Sequence, residues 1–296
     1  MTSLAVGIVG IGGRGGSFTP AIEAHEHAVL RAICDVDDDA LAHAARTLPD
    51  AASYTDFETM LAEAALDLII VGTPMPYHAT QSIAALEQDI HVLSEVPAAV
   101  SIEECKDLVA AAANASACYG MLENYCFRRP TQHVRALVKA GVFGEVYYAE
   151  AEYLHELKGL NETTPWRRTW QTGIDGITYP THCLGPVLQW FGDDRLSRIT
   201  CVGAGHHATD PRGEHYEQQD TTILLGKTEA DRVIKLRLDM LSDRIIPCGS
   251  PNTRPLRHQT GTRGEHSRTS TITSPAIGVI HHRKTAQLPT PAVTSS

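Results

Sequence analysis

The chain has 296 residues, 43% of them apolar and 20% charged, with a net charge of −10 and an isoelectric point near 5.8. That length allows two domains with cores of their own, and the acidic balance argues against nucleic acid or an anionic membrane as partner. No apolar run approaches the roughly 20 residues that span a bilayer. Met1-Thr2-Ser3 leads straight into a strand and leaves no room for a signal peptide. Seven scattered cysteines without a C-x-x-C suit a reduced, cytoplasmic protein. Neither they nor the fifteen histidines have metal-ligand spacing, so no metal is expected.

The first strand, Leu4 to Val9, runs into Gly10-Ile11-Gly12-Gly13-Arg14-Gly15 and a helix from about Ser17. Gly10, Gly12 and Gly15 fit G-x-G-x-x-G, a turn tight enough to bring a pyrophosphate against backbone N–H groups at a helix start. About 20 residues on, the run Val29 to Cys34 ends in Asp35, where a carboxylate binds a ribose 2′-hydroxyl and repels a 2′-phosphate. The cofactor implied is NAD rather than NADP. A helix over Asp38 to Leu48 follows, then a capping box at Thr55-Asp56-Phe57-Glu58. Leu68 to Val71 is a short β-branched run ending in Gly72-Thr73-Pro74, with His78 opening the next helix. Ile90 to Leu93 ends in Ser94-Glu95-Val96-Pro97, and a second capping box, Ser101 to Glu104, starts a helix to about Ala113. Strands alternating with helices predict a doubly wound, Rossmann-type parallel sheet with its ligand beyond the strands' carboxyl ends.

The pattern changes near residues 124 to 130. After a helix from His133 to Ala140 come longer β runs, Glu145 to Leu157, Leu196 to Gly203, Asp220 to Leu225 and Arg232 to Met240. They predict an α+β second domain with a largely antiparallel open sheet. Tyr153 and His155 share a strand face with Ala149 and Ala151. Tyr179-Pro180-Thr181-His182 reads as a helix start with Pro180 in first position, which puts Tyr179 and His182 on one face. From Ser242 the chain is rich in Thr, Ser, Pro, Arg and His and loses periodicity except over Ala276 to Ile280. The domains expected are therefore 1–124, an NAD-binding Rossmann domain, and 125–241, an incomplete substrate domain. Residues 242–296 are an irregular tail, either a disordered basic segment or an out-of-frame continuation that packs little against the second sheet.

The chain resembles the glucose–fructose oxidoreductase/inositol dehydrogenase/rhizopine-catabolism (Gfo/Idh/MocA) family, and within it the NAD-dependent glycoside hydrolases that include bacterial α-N-acetylgalactosaminidases. The glycine loop, Thr73-Pro74 with His78, Glu95-Val96-Pro97, Glu123 to Arg129, Gly144-Glu145, Tyr153 with His155, Trp166-Arg167 and Tyr179 to Val187 carry the resemblance, which spans residues 4 to about 241. Where the family's dehydrogenases have Glu-Lys-Pro, this chain has Val96, and the glycosidase branch likewise lacks the lysine. The resemblance implies a redox-neutral hydrolysis begun by oxidation at C3 of the sugar. Tyr153 would then be the acid/base at C2, with a nearby NAD⁺ charge depressing its phenol, and His182 the acceptor of the C3 hydroxyl proton, with Tyr179 beside it. It places the cofactor on Gly10, Gly12, Gly13, Arg14, Gly15, Asp35, Thr73, Pro74, His78, Glu95, Pro97 and Asn124, and a sugar or glycoside on Glu123, His155, Trp166 and Arg167. Arg167 and Arg168 are expected in the loop after the long strand, with Arg168 a surface residue. An ordinary sugar or cyclitol dehydrogenase releasing NADH, or a non-catalytic dinucleotide-binding protein, are the alternatives. Self-association through the second sheet is a further expectation.

Overall fold

The computed structural model describes residues 3–242 and 277–282, and the chain separates into two compact units, Met1–Glu123 and Asn124–Ser296. In the first unit six strands form one parallel sheet: β1 (Leu4–Val9), β2 (Ala28–Cys34), β3 (Ala52–Tyr54), β4 (Leu68–Val71), β5 (His91–Ser94) and β6 (Tyr119–Met121). Their order is β3-β2-β1-β4-β5-β6, so the direction of winding reverses between β1 and β4. Successive residues of each strand feed two cores, as burial on both faces demands. Val6, Ile8, Ile33 and Ile70 meet α1 (Thr19–Glu23) and α2 (Asp38–Thr47) through Ile22 and Leu41. Ala32, Ile69, Val71 and Val92 meet α3 (Phe57–Glu63), α4 (His78–Leu86) and α5 (Ile102–Asn114) through Met60, Leu86 and Leu108.

Local chemistry accounts for the helix starts. Ser101 caps α5, its hydroxyl accepting from the Glu104 N–H at 3.1 Å. The cap of α3 is Asp56 rather than the expected Thr55; its carboxylate accepts from the Thr59 N–H at 2.8 Å. After the glycine turn, Gly15–Phe18 form a 3₁₀ turn before α1 begins.

In the second unit α6 (Arg129–Lys139) starts four residues earlier than its apolar pattern suggests, because Pro130 suits a first turn. Two short helices, α7 (Lys158–Thr163) and α8 (Pro165–Trp170), replace the expected loop after the long strand, and α9 (Thr181–Phe191) has Pro180 as its cap rather than its first residue. The sheet comprises β7 (Glu145–Leu154), β8 (Leu196–Gly203), β9 (Thr221–Thr228), β10 (Val233–Asp239) and β11 (Ile277–His282), in the order β11-β7-β10-β9-β8. The pair β7–β10 is parallel; the others are antiparallel.

Two expectations about the carboxyl-terminal part need correcting. The last long run, β10, is an interior strand between β7 and β9, not an unfinished edge. Of the tail expected to be irregular, Ile277–His282 pair along β7, so this stretch has a place in the sheet; residues 243–276 and 283–296 lie outside the described residues. Ala149 and Ala151 are fully buried beside Cys183, Val187 and Trp190 of α9. Their small side chains let the helix sit close to β7. Among the described residues no helix is long and apolar enough to cross a membrane.

Candidate active site

The first unit's site lies at the carboxyl ends of β1, β2, β4 and β5. Gly10 has φ +83°, and a Cβ there would stand 2.6 Å from the Gly72 carbonyl carbon and the Thr73 nitrogen, so only glycine can turn the chain this tightly. Gly12 brings its N–H 2.8 Å from Asp35 Oδ2, while the Asp37 N–H donates to Asp35 Oδ1 at 3.1 Å. A Cβ on Gly12 would strike Ala40 of α2 at 2.6 Å, so this glycine lets the loop approach the ribose carboxylate closely. Each Asp35 oxygen takes one backbone donor and keeps a lone pair for a ribose hydroxyl. Gly13 is nearly free of neighbours on its Cβ side, with Gly72 O 3.9 Å away, and Gly15 is buried. This cradle fits a dinucleotide. Gly10 to Gly15 and Asp35 would hold its pyrophosphate and ribose, with Thr73, Pro74 and Pro97 at the neighbouring strand ends.

Three residues behave differently from expectation. Arg14 does not project freely toward an anion. Its Nε is 3.0 Å from Glu95 Oε1, and its guanidinium lies over the Phe18 ring. His78 is 2% exposed, and its two ring nitrogens lie 2.7 Å from the carbonyl oxygens of Thr73 and Pro97. It clasps the ends of β4 and β5 together, with both ring nitrogens engaged by backbone carbonyls. The Thr73 hydroxyl donates to Gln81 Oε1 at 2.6 Å, leaving that residue's backbone and the Pro74 ring at the site. Val96, where the family's dehydrogenases place lysine, is buried and supplies no proton. Glu123 is buried at the end of the first unit; Asn124 is exposed at the start of the second, in the 3₁₀ turn Asn124–Phe127.

The second unit gathers the residues expected to do acid–base chemistry. Tyr153, at the end of β7, has its hydroxyl 2.9 Å from Nδ1 of His155. His182, in the first turn of α9, lies 4.8 Å from the Tyr153 ring and 4.9 Å from the Tyr179 ring, centroid to centroid. Tyr125 stacks on His182 at 4.4 Å, and the Arg128 guanidinium sits 3.6 Å from the Tyr125 ring centroid. Tyr125 lies within the stretch Glu123 to Arg129, and no role for it was expected from the sequence. The signal was an aromatic residue directly after a strand-end Glu-Asn.

The electrostatics of the chain itself favour the uncharged forms of this pair. Burial, reinforced by the neighbouring hydroxyls of Tyr125 and Tyr179, pushes the Tyr153 phenol well above its ordinary value, and Arg167 only partly opposes this. Burial thus favours the protonated phenol in the chain itself, and its oxygen shares a hydrogen bond with His155 Nδ1. Burial, then Arg167 and His182, push the His155 ring below its ordinary value and favour its neutral form, although solvent still reaches the residue. Arg167 lies over Trp166, 4.4 Å from its centroid, and donates to Gln171 Oε1 at 2.9 Å. Arg168, expected to be a surface residue, instead pairs at 2.8 Å with Asp210, whose side chain is wholly out of solvent. No cluster of three or more His, Cys, Asp or Glu able to hold a metal occurs among the described residues.

Residues 4–122 match the oxidoreductase family Gfo/Idh/MocA with its NAD-binding Rossmann fold, and residues 127–263 match the C-terminal domain of glycosyl hydrolase 109. The second match continues past Met240 into the stretch that lost periodicity. A glycosyl hydrolase family 109 protein of Saccharopolyspora erythraea is 35% identical over 271 residues, covering 82% of this chain and 59% of that protein. One from Solibacter usitatus is 34% identical over 277 residues, covering 82% and 63%. The chain thus spans about three-fifths of the length of these relatives. In fold it is similar to scyllo-inositol dehydrogenase from Lactobacillus casei, solved with NAD(H) and scyllo-inositol (TM-score 0.70, 20% identity, 81% of this chain and 71% of that one). The WlbA dehydrogenase of Bordetella pertussis, solved with NADH and UDP-GlcNAcA, gives a TM-score of 0.70 at 22% identity, covering 82% and 68%. The chain thus carries a Gfo/Idh/MocA NAD-binding Rossmann domain followed by a glycosyl hydrolase 109 C-terminal domain.

Proposed function

We propose that this protein cleaves a glycoside by NAD-dependent, redox-neutral chemistry begun at C3 of the sugar. The observation that carries the reading is the hydrogen-bonded pair Tyr153–His155, set against His182 inside a wall of tyrosines. NAD⁺ held by Gly10 to Gly15 and Asp35 would supply the two-electron acceptor for oxidation at C3 and for its later reversal. His182 accepts the C3 hydroxyl proton. The ketone acidifies the C2 proton, which passes to the Tyr153 oxygen while Tyr153 passes its own proton to His155. The C2–H electron pair becomes the C1–C2 double bond and expels the glycosidic oxygen from C1, which leaves as the aglycone alcohol with a proton from solvent. Water then adds at C1 and gives one proton back to solvent, the Tyr153–His155 pair returns a proton to C2, and His182 returns its proton to the C3 oxygen as the ketone is reduced. This relay needs no free tyrosinate, which suits a phenol held protonated by burial. Arg167 offsets negative charge near the pair, and Trp166 offers a face for the apolar side of a sugar ring.

Val96 favours this reading over a dehydrogenase that releases NADH, because no lysine is present at the end of β5. The test is deuterium incorporation. In heavy water, sugar recovered from a turned-over glycoside should carry deuterium at C2. Hydrolysis without C2 exchange would overturn the mechanism.

A further inference from the structure

We propose that Asp210 is a positioning residue for the sugar site: as the buried counter-ion of Arg168 it sets the rotation of α8 and so aims Arg167 at Tyr153 and His155. The inference rests on the reading of Tyr153 and His155 as the proton-handling pair.

Helix α8 is one and a half turns long, has no side-chain cap at its start and contributes no buried residue. Hydrophobic packing therefore does not fix its orientation, as it does for α9. Polar contacts must do so, and the strongest is Arg168. Its NH2 nitrogen is 2.8 Å from Asp210 Oδ2, and a second guanidinium, Arg212, approaches the same oxygen at 2.7 Å. The other oxygen, Oδ1, accepts from the backbone N–H groups of Arg212 at 2.8 Å and Glu214 at 2.9 Å. Arg212 also reaches Glu162 of α7 at 3.0 Å. A carboxylate with no solvent exposure is thus held by two cations and two N–H donors; removing its charge takes the buried partner from both arginines and leaves Arg168 with Glu214 at 3.4 Å and Arg212 with Glu162.

Consecutive residues on a helix project about 100° apart. Holding Arg168 toward Asp210 therefore determines where Arg167 can point. Arg167 lies close enough to act electrostatically on both Tyr153 and His155. Asp210 is 42 positions from Arg168 in the chain and touches neither Tyr153 nor His155 in any contact described, so it acts through α8.

The test follows the His155 ring by NMR across a pH titration of the full chain, alongside thermal unfolding. Arg167→Ala removes a cation from beside His155 and should raise its midpoint. Asp210→Asn and Arg168→Gln should each reproduce at least half of that rise, Arg168→Lys should recover part of the wild-type value, and Arg212→Gln should leave the midpoint in place. If Asp210→Asn does not fold, Arg168→Gln decides alone, since Arg212 still covers Asp210 in it. Lower melting temperatures with an unmoved His155 midpoint would make the cluster a stability device only and overturn the proposal. An unmoved midpoint in Arg167→Ala would overturn the site reading beneath it.

Discussion

Two residues apart on an extended strand means the same face, and at Tyr153 and His155 that geometry ends in a 2.9 Å contact. The spacing was readable in the sequence; the direction of the proton was not. It depends on burial by Tyr125 and Tyr179, which come from other elements, and on Arg167. Three consequences follow at this scale. Tyr153→Phe should abolish C2 deuterium exchange while leaving C3 oxidation detectable as transient NADH absorbance, whereas His182→Ala should remove that absorbance as well. Wild-type turnover in both variants would make these residues structural. Because His155 must be neutral to accept and its ring is pushed below its ordinary value, kcat/KM should hold as pH falls through about 6.5 and decline only below it. Removing the Arg167 charge should move that decline to higher pH, and a decline centred above 6.5 in the wild type would contradict the assignment. At the other site, the Asp35 carboxylate should favour NAD over NADP by about tenfold or more, and Asp35→Ala should narrow the gap, as measured by isothermal titration.

At the scale of elements, most of the first unit could be read directly, because parallel strands buried on both faces appear as short β-branched runs and α3 and α5 announce their caps. What escaped reading had local reasons. β3 and β6 have three residues each, too few to show a period. The helices α7 and α8 bury Asn161 alone between them and so carry no apolar stripe. His78 and Arg168 took roles set by partners far away in the chain, Pro97 and Asp210, which no local pattern reveals. Two stability predictions belong here. Ala151→Leu, on β7 beneath α9, overpacks a site with no spare volume and should cost about 1–3 kcal/mol in denaturant unfolding. At α3, hydrogen bonds from the Thr59 hydroxyl and N–H hold the Asp56 carboxyl below its ordinary value. Its folded pKa lies under its unfolded one, so the stabilisation is complete above the unfolded value of about 3.9 and fades as pH falls through the folded value. Asp56→Asn should therefore flatten the acid side of the stability curve. An unchanged acid limb would show that the cap contributes nothing there.

The whole molecule joins a dinucleotide cradle and an acid–base cluster in one chain, and both are needed for the proposed reaction. On the outer face of the second sheet, Val202, Ile223 and Leu225 are exposed side by side, while Lys235–Glu150 and Arg237–Glu152 pair across the neighbouring strands. We expect self-association through this face. Light scattering after gel filtration should give a dimer or larger, reduced to monomer by Leu225→Glu, and a wild-type monomer would refute it. The central claim is tested most directly by stoichiometry. With NAD⁺ and a panel of aryl glycosides, aglycone release and NADH absorbance are followed together. The account predicts many aglycones released per bound cofactor with no net accumulation of NADH. NADH rising in proportion to sugar consumed, with the aglycone still attached, would contradict it and identify a dehydrogenase.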